Sequence, residues 1–342
     1  MKKILSMAAL ALIMASCSND EETPEINPGE VTNAVPVQIS QKVAGVETKA
    51  AVGIGNDVNA VILMADAQDF SGFTPNKENK LNNQSKFAQD ADRANYSTAT
   101  FQAQATASKI ENLTTTLYFP TQGGGGDKTV YIAGVAPQGN VTATAIEFTD
   151  IDGLQDVMYA AAATATLGSA GSQTATPDLE FKHKTTQLTF AAKLAEELTG
   201  TEWNDKAVTV KNITIQNAQL PQSLSFGAGT VNYADAASFV VKGISTTLST
   251  SAADISSPVM VMPTTNILVN LTLSVGGTEK TYNNLPVLKD GSSDKLTTVE
   301  GKSHKVTFTI TAPTTPDGAT AVTVKAKVVD WAVGDAGSVE VK

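Results

Sequence analysis

The sequence predicts an all-β protein, two β-sandwich domains in tandem behind a cleavable leader and an extended tether. Three observations carry that prediction. Thr and Val recur through many short segments in which apolar residues fall on alternate positions, the period of a strand with one buried face. Turn-forming residues separate these segments at roughly the spacing of a sandwich. Only Ala191–Leu198 (Ala-Ala-Lys-Leu-Ala-Glu-Glu-Leu), closed by Gly200, reads as a helical turn or two.

The leader comes first. Met1-Lys2-Lys3 is positively charged, and Ile4–Ala15 is an apolar run of 12 residues. A bilayer span needs about 20 such residues, so this is a signal peptide and not an anchor. Cys17 follows the small pair Ala15-Ser16, and the combination resembles the lipobox of bacterial lipoproteins, in which the thiol is acylated and becomes the first mature residue. Two or three acyl chains on Cys17 hold a protein on a lipid membrane far more firmly than a single chain does. Ser18-Asn19-Asp20-Glu21-Glu22 resembles the signal that sends lipoproteins to the outer face of the outer membrane. Ser18–Glu30, acidic and containing Pro24 and Pro28, cannot bury a core and forms the tether.

Cys17 is the only cysteine in 342 residues, so no disulfide can form within the chain and stability must come from the core. Removing residues 1–16 leaves 326 residues and, with Lys2 and Lys3 gone, takes the formal net charge from −10 to −12. So acidic a chain, with Arg93 as its only arginine and no basic block, excludes nucleic-acid binding as a partner class.

From Val31 the residues Val31, Val35, Val37, Ile39 and Val43 share one parity, which predicts a strand with a single buried face. Pro36 lies inside it and cannot donate to a ladder, so the strand is expected at a sheet edge or to be exchangeable. The small-residue stretch Ala44–Gly53, with Lys49 and Ala50 at its centre, reads as a loop. Asn59–Met64 reads as a buried strand, and Asp66–Gln89 as a long polar excursion. Tyr96–Gln104 and Leu113–Pro120 are two further strands. Gly123–Gly126 lacks the following GK[ST] and helix of a phosphate loop and reads as a hairpin connection. Thr129–Val135 is a strand, and a fresh alternating segment with Leu188, Phe190 and Ala192 opens after Pro177–Lys184, where the domain boundary falls. The second half continues with strands at Val208–Ile215, Ser223–Phe226, Phe239–Val241, Val259–Met262, Ile267–Val275 and Val306–Ile310. Thr320–Val329 closes the pattern, with Val322, Val324, Ala326 and Val328 on one face and Trp331 following.

Candidate catalytic groups are few. His183 and His304 lie in separate halves beside lysines, a surface or packing arrangement. There is no HExxH, GxSxG or CxxC, and the one thiol is assigned to lipid. No enzyme, no cofactor and no metal site is expected.

In chain order the lipobox, Val46-Glu47-Thr48-Lys49-Ala50, Val130-Tyr131-Ile132-Ala133 with Pro137, Asp156–Ala160, Leu179–Lys184, Gly301–His304 and Val329-Asp330-Trp331 resemble the fimbrillin family, the type V pilus subunits of Gram-negative gut and oral bacteria. The resemblance implies two transthyretin-like β-sandwich domains, delivery as an outer-membrane lipoprotein and display at the cell surface in a fimbrium. It also implies assembly by strand exchange: an Arg- or Lys-specific protease cuts the loop after the first strand, that strand leaves, and the C-terminal strand of the next subunit fills the groove. Carried onto this chain, the cut falls between Lys49 and Ala50, the leaving strand is Val31–Val43, and the donor lies within residues 320–342, with Val322, Val324, Ala326, Val328 and Trp331 as its buried residues. The expected division is a signal peptide over 1–16, a tether and removable first strand over 17–49, and sandwich domains over 50–180 and 181–342. The partners implied are other pilus subunits, tip and anchor included, the processing protease and the membrane. The alternative reading is a permanently anchored surface lipoprotein that binds glycan or another ligand, or the pilus anchor subunit.

Overall fold

The structure is a computed structural model that describes residues 33–44, 55–81, 87–121, 126–244, 246–315, 318 and 320–330, with side chains as far as Lys327. Cys17, Val31, Lys49, Ala50 and Trp331 lie outside the described residues, as does the Val328 side chain. In chain order the first strands are β1 (Ser40–Val43), β2 (Asp57–Ala65), β3 (Tyr96–Gln102), β4 (Ser108–Lys109), β5 (Lys128–Ala136), β6 (Asn140–Val141), β7 (Ala145–Glu147), β8 (Met158–Leu167), β9 (Gln173–Ala175) and β10 (Asp178–His183). They are followed by β11 (Thr186–Leu194), β12 (Val208–Ala218), β13 (Pro221–Ser225), β14 (Thr230–Tyr233), β15 (Ala237–Val240), β16 (Thr246–Thr247) and β17 (Ala253–Asp254). The last are β18 (Val259–Val261), β19 (Leu268–Val275), β20 (Thr278–Pro286), β21 (Leu288–Lys289), β22 (Lys302–Thr311) and β23 (Ala321–Asp330).

These strands form four sheets. The first half is built on the order β3-β2-β5-β8-β10-β1-β4, with β9 against β8. A bridge between Ala99 and Leu113 folds the β4 end of this sheet back toward β3. The second half stacks β17-β11-β22-β23-β21, with β18 on β11, over β15-β12-β19-β20, with β16 on β12. A smaller sheet, β14-β13-β7-β6, draws two strands from each side of residue 180.

Apolar residues on alternate positions specify the cores. In the second half, Leu188, Phe190 and Ala192 of β11 meet Val306, Phe308 and Ile310 of β22 and Val208, Val210, Ile213 and Ile215 of β12. β2 departs from alternation: Ala60–Met64 are all buried, because one face joins the inner core and the other packs under the small sheet. Val61, Leu63, Ala133 and Val135 there meet Ile146, Phe148, Leu224 and Phe226.

Three expectations need correction. Ala191–Leu198 is not helical; Ala191–Leu194 end β11, which pairs in parallel with β22 from Gln187↔Ser303 to Leu194↔Ile310. The central place in a sheet outweighs the helix propensity of Ala, Leu and Glu. Among the described residues there is no α-helix, only a 3-10 turn at Asp90–Asp92. Leu113–Pro120 makes isolated bridges at Leu113 and Tyr118 in place of a strand. The polar excursion after Asp66 is in part a core element: Phe70 and Phe73 are buried with Phe226, ring centroids 5.4 and 5.1 Å from it.

Candidate functional site

Val35–Ala44 runs through the first half with its odd-numbered side chains inward. Val37, Ile39, Gln41 and Val43 are buried, and Val35 is half-buried. Val37, Ile39 and Val43 belong to one core cluster with Leu117, Phe119, Leu179 and Phe181. At roughly 1.5–3 kcal/mol for each fully buried aliphatic side chain, these three are the segment's main apolar hold.

Backbone pairing is found on both sides. β1 is parallel to β10, from Ser40↔Asp178 to Val43↔Phe181. Ser40 N donates to Pro177 O at 3.0 Å and Ala44 N to Phe181 O at 2.8 Å. On the other side Ile110 N donates to Ile39 O at 2.9 Å, Val37 N to Leu117 O at 2.8 Å, and Phe119 N to Val35 O at 2.9 Å. The edge placement expected from Pro36 is therefore corrected for β1, which lies between β10 and β4. Pro36 itself bridges Tyr118, so the side that lacks an N–H donor faces away from that partner. Further along, the Gln173 side chain substitutes for a strand: its Oε1 accepts from Gln38 N at 2.7 Å and its Nε2 donates to Gln38 O at 2.9 Å.

Two polar features interrupt the apolar row and its outer face. Gln41 Nε2 donates to Ser108 Oγ at 2.8 Å and to Gln102 O at 3.4 Å, while its Oε1 is buried without a hydrogen-bond partner. A buried acceptor in that state costs about 1–3 kcal/mol. On the outer face Lys42 Nζ lies 3.2 Å from Asp178 and 4.0 Å from Glu180, so one lysine serves two acids. Lys182 also reaches Glu180, at 3.0 Å.

The last strand, β23, is antiparallel to β22 along its whole length, from Lys302↔Asp330 to Thr311↔Ala321. Its other neighbour, β21, covers only Lys325 and Ala326. Val324 and Ala326 are buried in the second-half core, and Val322 packs against it. Lys327 stands directly across from Lys305, a like charge that engages Asp254 at 2.6 Å.

The histidines are interior, not surface, residues. His183 Nδ1 lies 2.8 Å from Asp156 Oδ1, with both side chains buried where the chain passes between the halves. His304 Nε2 accepts from Val299 N at 3.3 Å, and burial pushes its pKa down to about 4, so the ring is neutral. Close by, burial and then the charge of Glu300 raise the Tyr233 phenol, whose OH donates to Lys184 O at 3.1 Å. These groups pack the junction between the halves. Among the described residues no cluster of three or more metal-ligating side chains occurs, and no helix is long and apolar enough to cross a membrane.

Sequence reasoning missed Gln41, Gln173, Asp178 and Glu180 as part of this site. Gln41 carried a signal, a polar residue at the buried parity of Val37, Ile39 and Val43. The other three are 135 or more residues from their partners, and nothing local marks them.

The profile of a family described as fimbrillin-like matches residues 64–331 of this chain. No curated protein sequence is similar to it. Among solved structures, a protein assigned to cell adhesion from Bacteroides uniformis is 18% identical, with 86% of this chain and 98% of that one covered and a TM-score of 0.46. A protein assigned the same role from Bacteroides ovatus is 14% identical, with 88% and 99% covered and a TM-score of 0.47. The fimbrial anchor protein Mfa2 from Porphyromonas gingivalis is 10% identical, with 87% and 98% covered and a TM-score of 0.35.

Proposed function

The chain belongs to the fimbrillin-like family, and from that premise we propose that it is a structural subunit of a surface fimbria that serves adhesion. In this reading it is exported as an outer-membrane lipoprotein acylated at Cys17 and released by an Arg- or Lys-specific protease that cuts after Lys49. It then polymerises by strand exchange through two transthyretin-like domains, residues 50–180 and 181–342. Its partners are further subunits, and it is not an enzyme.

One observation carries the proposal. The segment bearing Val35, Val37, Ile39 and Val43 is held by partners distant in sequence, between β10 and residues 104–119. Its departure would leave an apolar groove flanked by unpaired backbone, which is a template for another chain. Two other basic residues of the first half, Lys42 and Arg93, are already engaged. Lys42 lies within β1, and Arg93 is buried, donating to Asp90 O at 3.2 Å and Tyr118 O at 3.1 Å and pairing with Asp66 at 3.3 Å.

The test is the N-terminal sequence of material shed from cells. The expected first residue is Ala50, on protein that runs as a ladder on gels, and Lys49→Gln abolishes both release and ladder. An acylated Cys17 on every surface molecule would overturn the proposal in favour of a permanently anchored binder or an anchor subunit.

A further inference from the structure

The groove that holds the first strand, and the strand that closes the second half, carry defects that correct one another. In the groove, Gln41 is buried with its Oε1 unpartnered, and Lys42 is shared between Asp178 and Glu180. In the second half, Lys327 faces Lys305, a destabilising arrangement for a directly opposed pair. The two strands differ in how they are held: the first segment is paired on both sides, by β10 and by residues 104–119, whereas β23 has a full ladder only with β22 and meets the two-residue β21 on its other side.

The two sequences align on these features. Val37-Gln-Ile-Ser-Gln-Lys-Val43 and Val322-Thr-Val-Lys-Ala-Lys-Val328 share the apolar parity and the penultimate lysine. We propose that Val322–Val328 of a second copy takes the places of Val37–Val43 in that register and direction, so that Ala326 replaces Gln41 and Lys325 and Lys327 face Asp178 and Glu180. This rests on the strand-exchange reading above and adds to it the register and the recognition charges.

Each substitution in this register removes a defect. Ala326 brings no polar atom to the buried position, so the orphaned amide oxygen is lost from the groove. Ser40 pairs with Asp178 in the resident register, its Oγ donating to that carboxylate at 3.2 Å; Lys325 at the same place would give Asp178 a cation of its own. Lys327 then inherits Glu180 and leaves Lys305 to Asp254. An isolated exposed ion pair contributes little to stability, but charge matching selects register and suppresses wrong pairings.

The experiment follows polymerisation of the full chain by sedimentation after release, comparing wild type, Asp178→Lys, Lys325→Glu, the two combined, and Gln41→Met. Asp178 is partly exposed, and Lys325 faces Thr307 in its own half, so neither reversal disturbs a core; matched melting temperatures check this. Each single reversal is expected to slow polymerisation about tenfold, and the combination to return it to within about threefold of wild type. Gln41→Met removes the orphaned oxygen from the resident strand and is expected to slow exchange about tenfold. A combined variant no faster than the singles overturns the register, and an unchanged rate for Gln41→Met overturns the role of Gln41. If wild-type protein cut after Lys49 never polymerises, the strand-exchange reading falls and takes this inference with it.

Discussion

At the residue scale, His304 shows how a buried polar side chain makes the fold responsive to pH. Its ring is fully buried, with one nitrogen accepting from Val299 and Nδ1 without a partner, so the charged form has neither water nor an acid to stabilise it. With the folded value near 4 and the ordinary value at 6.5, the unfolded chain takes up the proton first. The His304 contribution is complete above about pH 6.5 and is lost as the pH falls toward 4, amounting to on the order of 3 kcal/mol. Denaturant melts of the wild type between pH 4 and 7 are expected to show that slope, and His304→Gln to flatten it while keeping an acceptor for Val299. Equal slopes in the two proteins would show that His304 does not set the acid sensitivity.

At the scale of elements, the last strand is a core component of the second half. A chain ended after Thr315 loses β23, with Val324 and Ala326 and the whole β22 ladder. The loss is on the order of 5 kcal/mol, and the melting midpoint is expected to fall by about 10 °C or more. A truncated chain that melts with the intact one would show that β23 adds nothing to the core. The strand was legible in the sequence because Val322, Val324 and Ala326 alternate with Thr323 and Lys325. The same rule exposed the parity of Val37, Ile39 and Val43, but β1's neighbours could not be read, since its parallel partner starts at Asp178. Where packing overrode local preference the reading failed, as at Ala191–Leu198. It also passed over β20, whose residues are mostly exposed and polar, with Lys280 above the Tyr282 ring; a charged outer strand of that kind carries no buried face to detect.

At the scale of the whole molecule, the sheet shared by both halves couples their stabilities. β13 pairs with β7 from Ser223↔Glu147 to Ser225↔Ala145, and Leu224 and Phe226 complete a core whose other wall is β2 and β5. Calorimetry of the intact chain is therefore expected to give a single transition whose calorimetric and van't Hoff enthalpies agree. Two resolved transitions would mean that this sheet is too weak to join the halves. The all-β class was legible from the strand spacing. The sharing was not, because Ser223–Phe226 reads as an ordinary strand of its own half, and only its register with β7 discloses the crossing.

That register has a mechanical consequence. A tensile load that enters at the first strand and leaves at the last would otherwise pass through Lys184 and Thr185, the chain between β10 and β11. The β7–β13 ladder is a second connection between the halves, and the Tyr233 hydroxyl is bound to Lys184 O, so part of the force crosses as shear between strands and not as stretch along one backbone. Extending the molecule at the junction then requires several hydrogen bonds and the Phe226 packing to fail together. Under steady pull the load is then shared between the backbone link, the small sheet and ties outside it, such as Met260 N to Gly153 O at 2.7 Å.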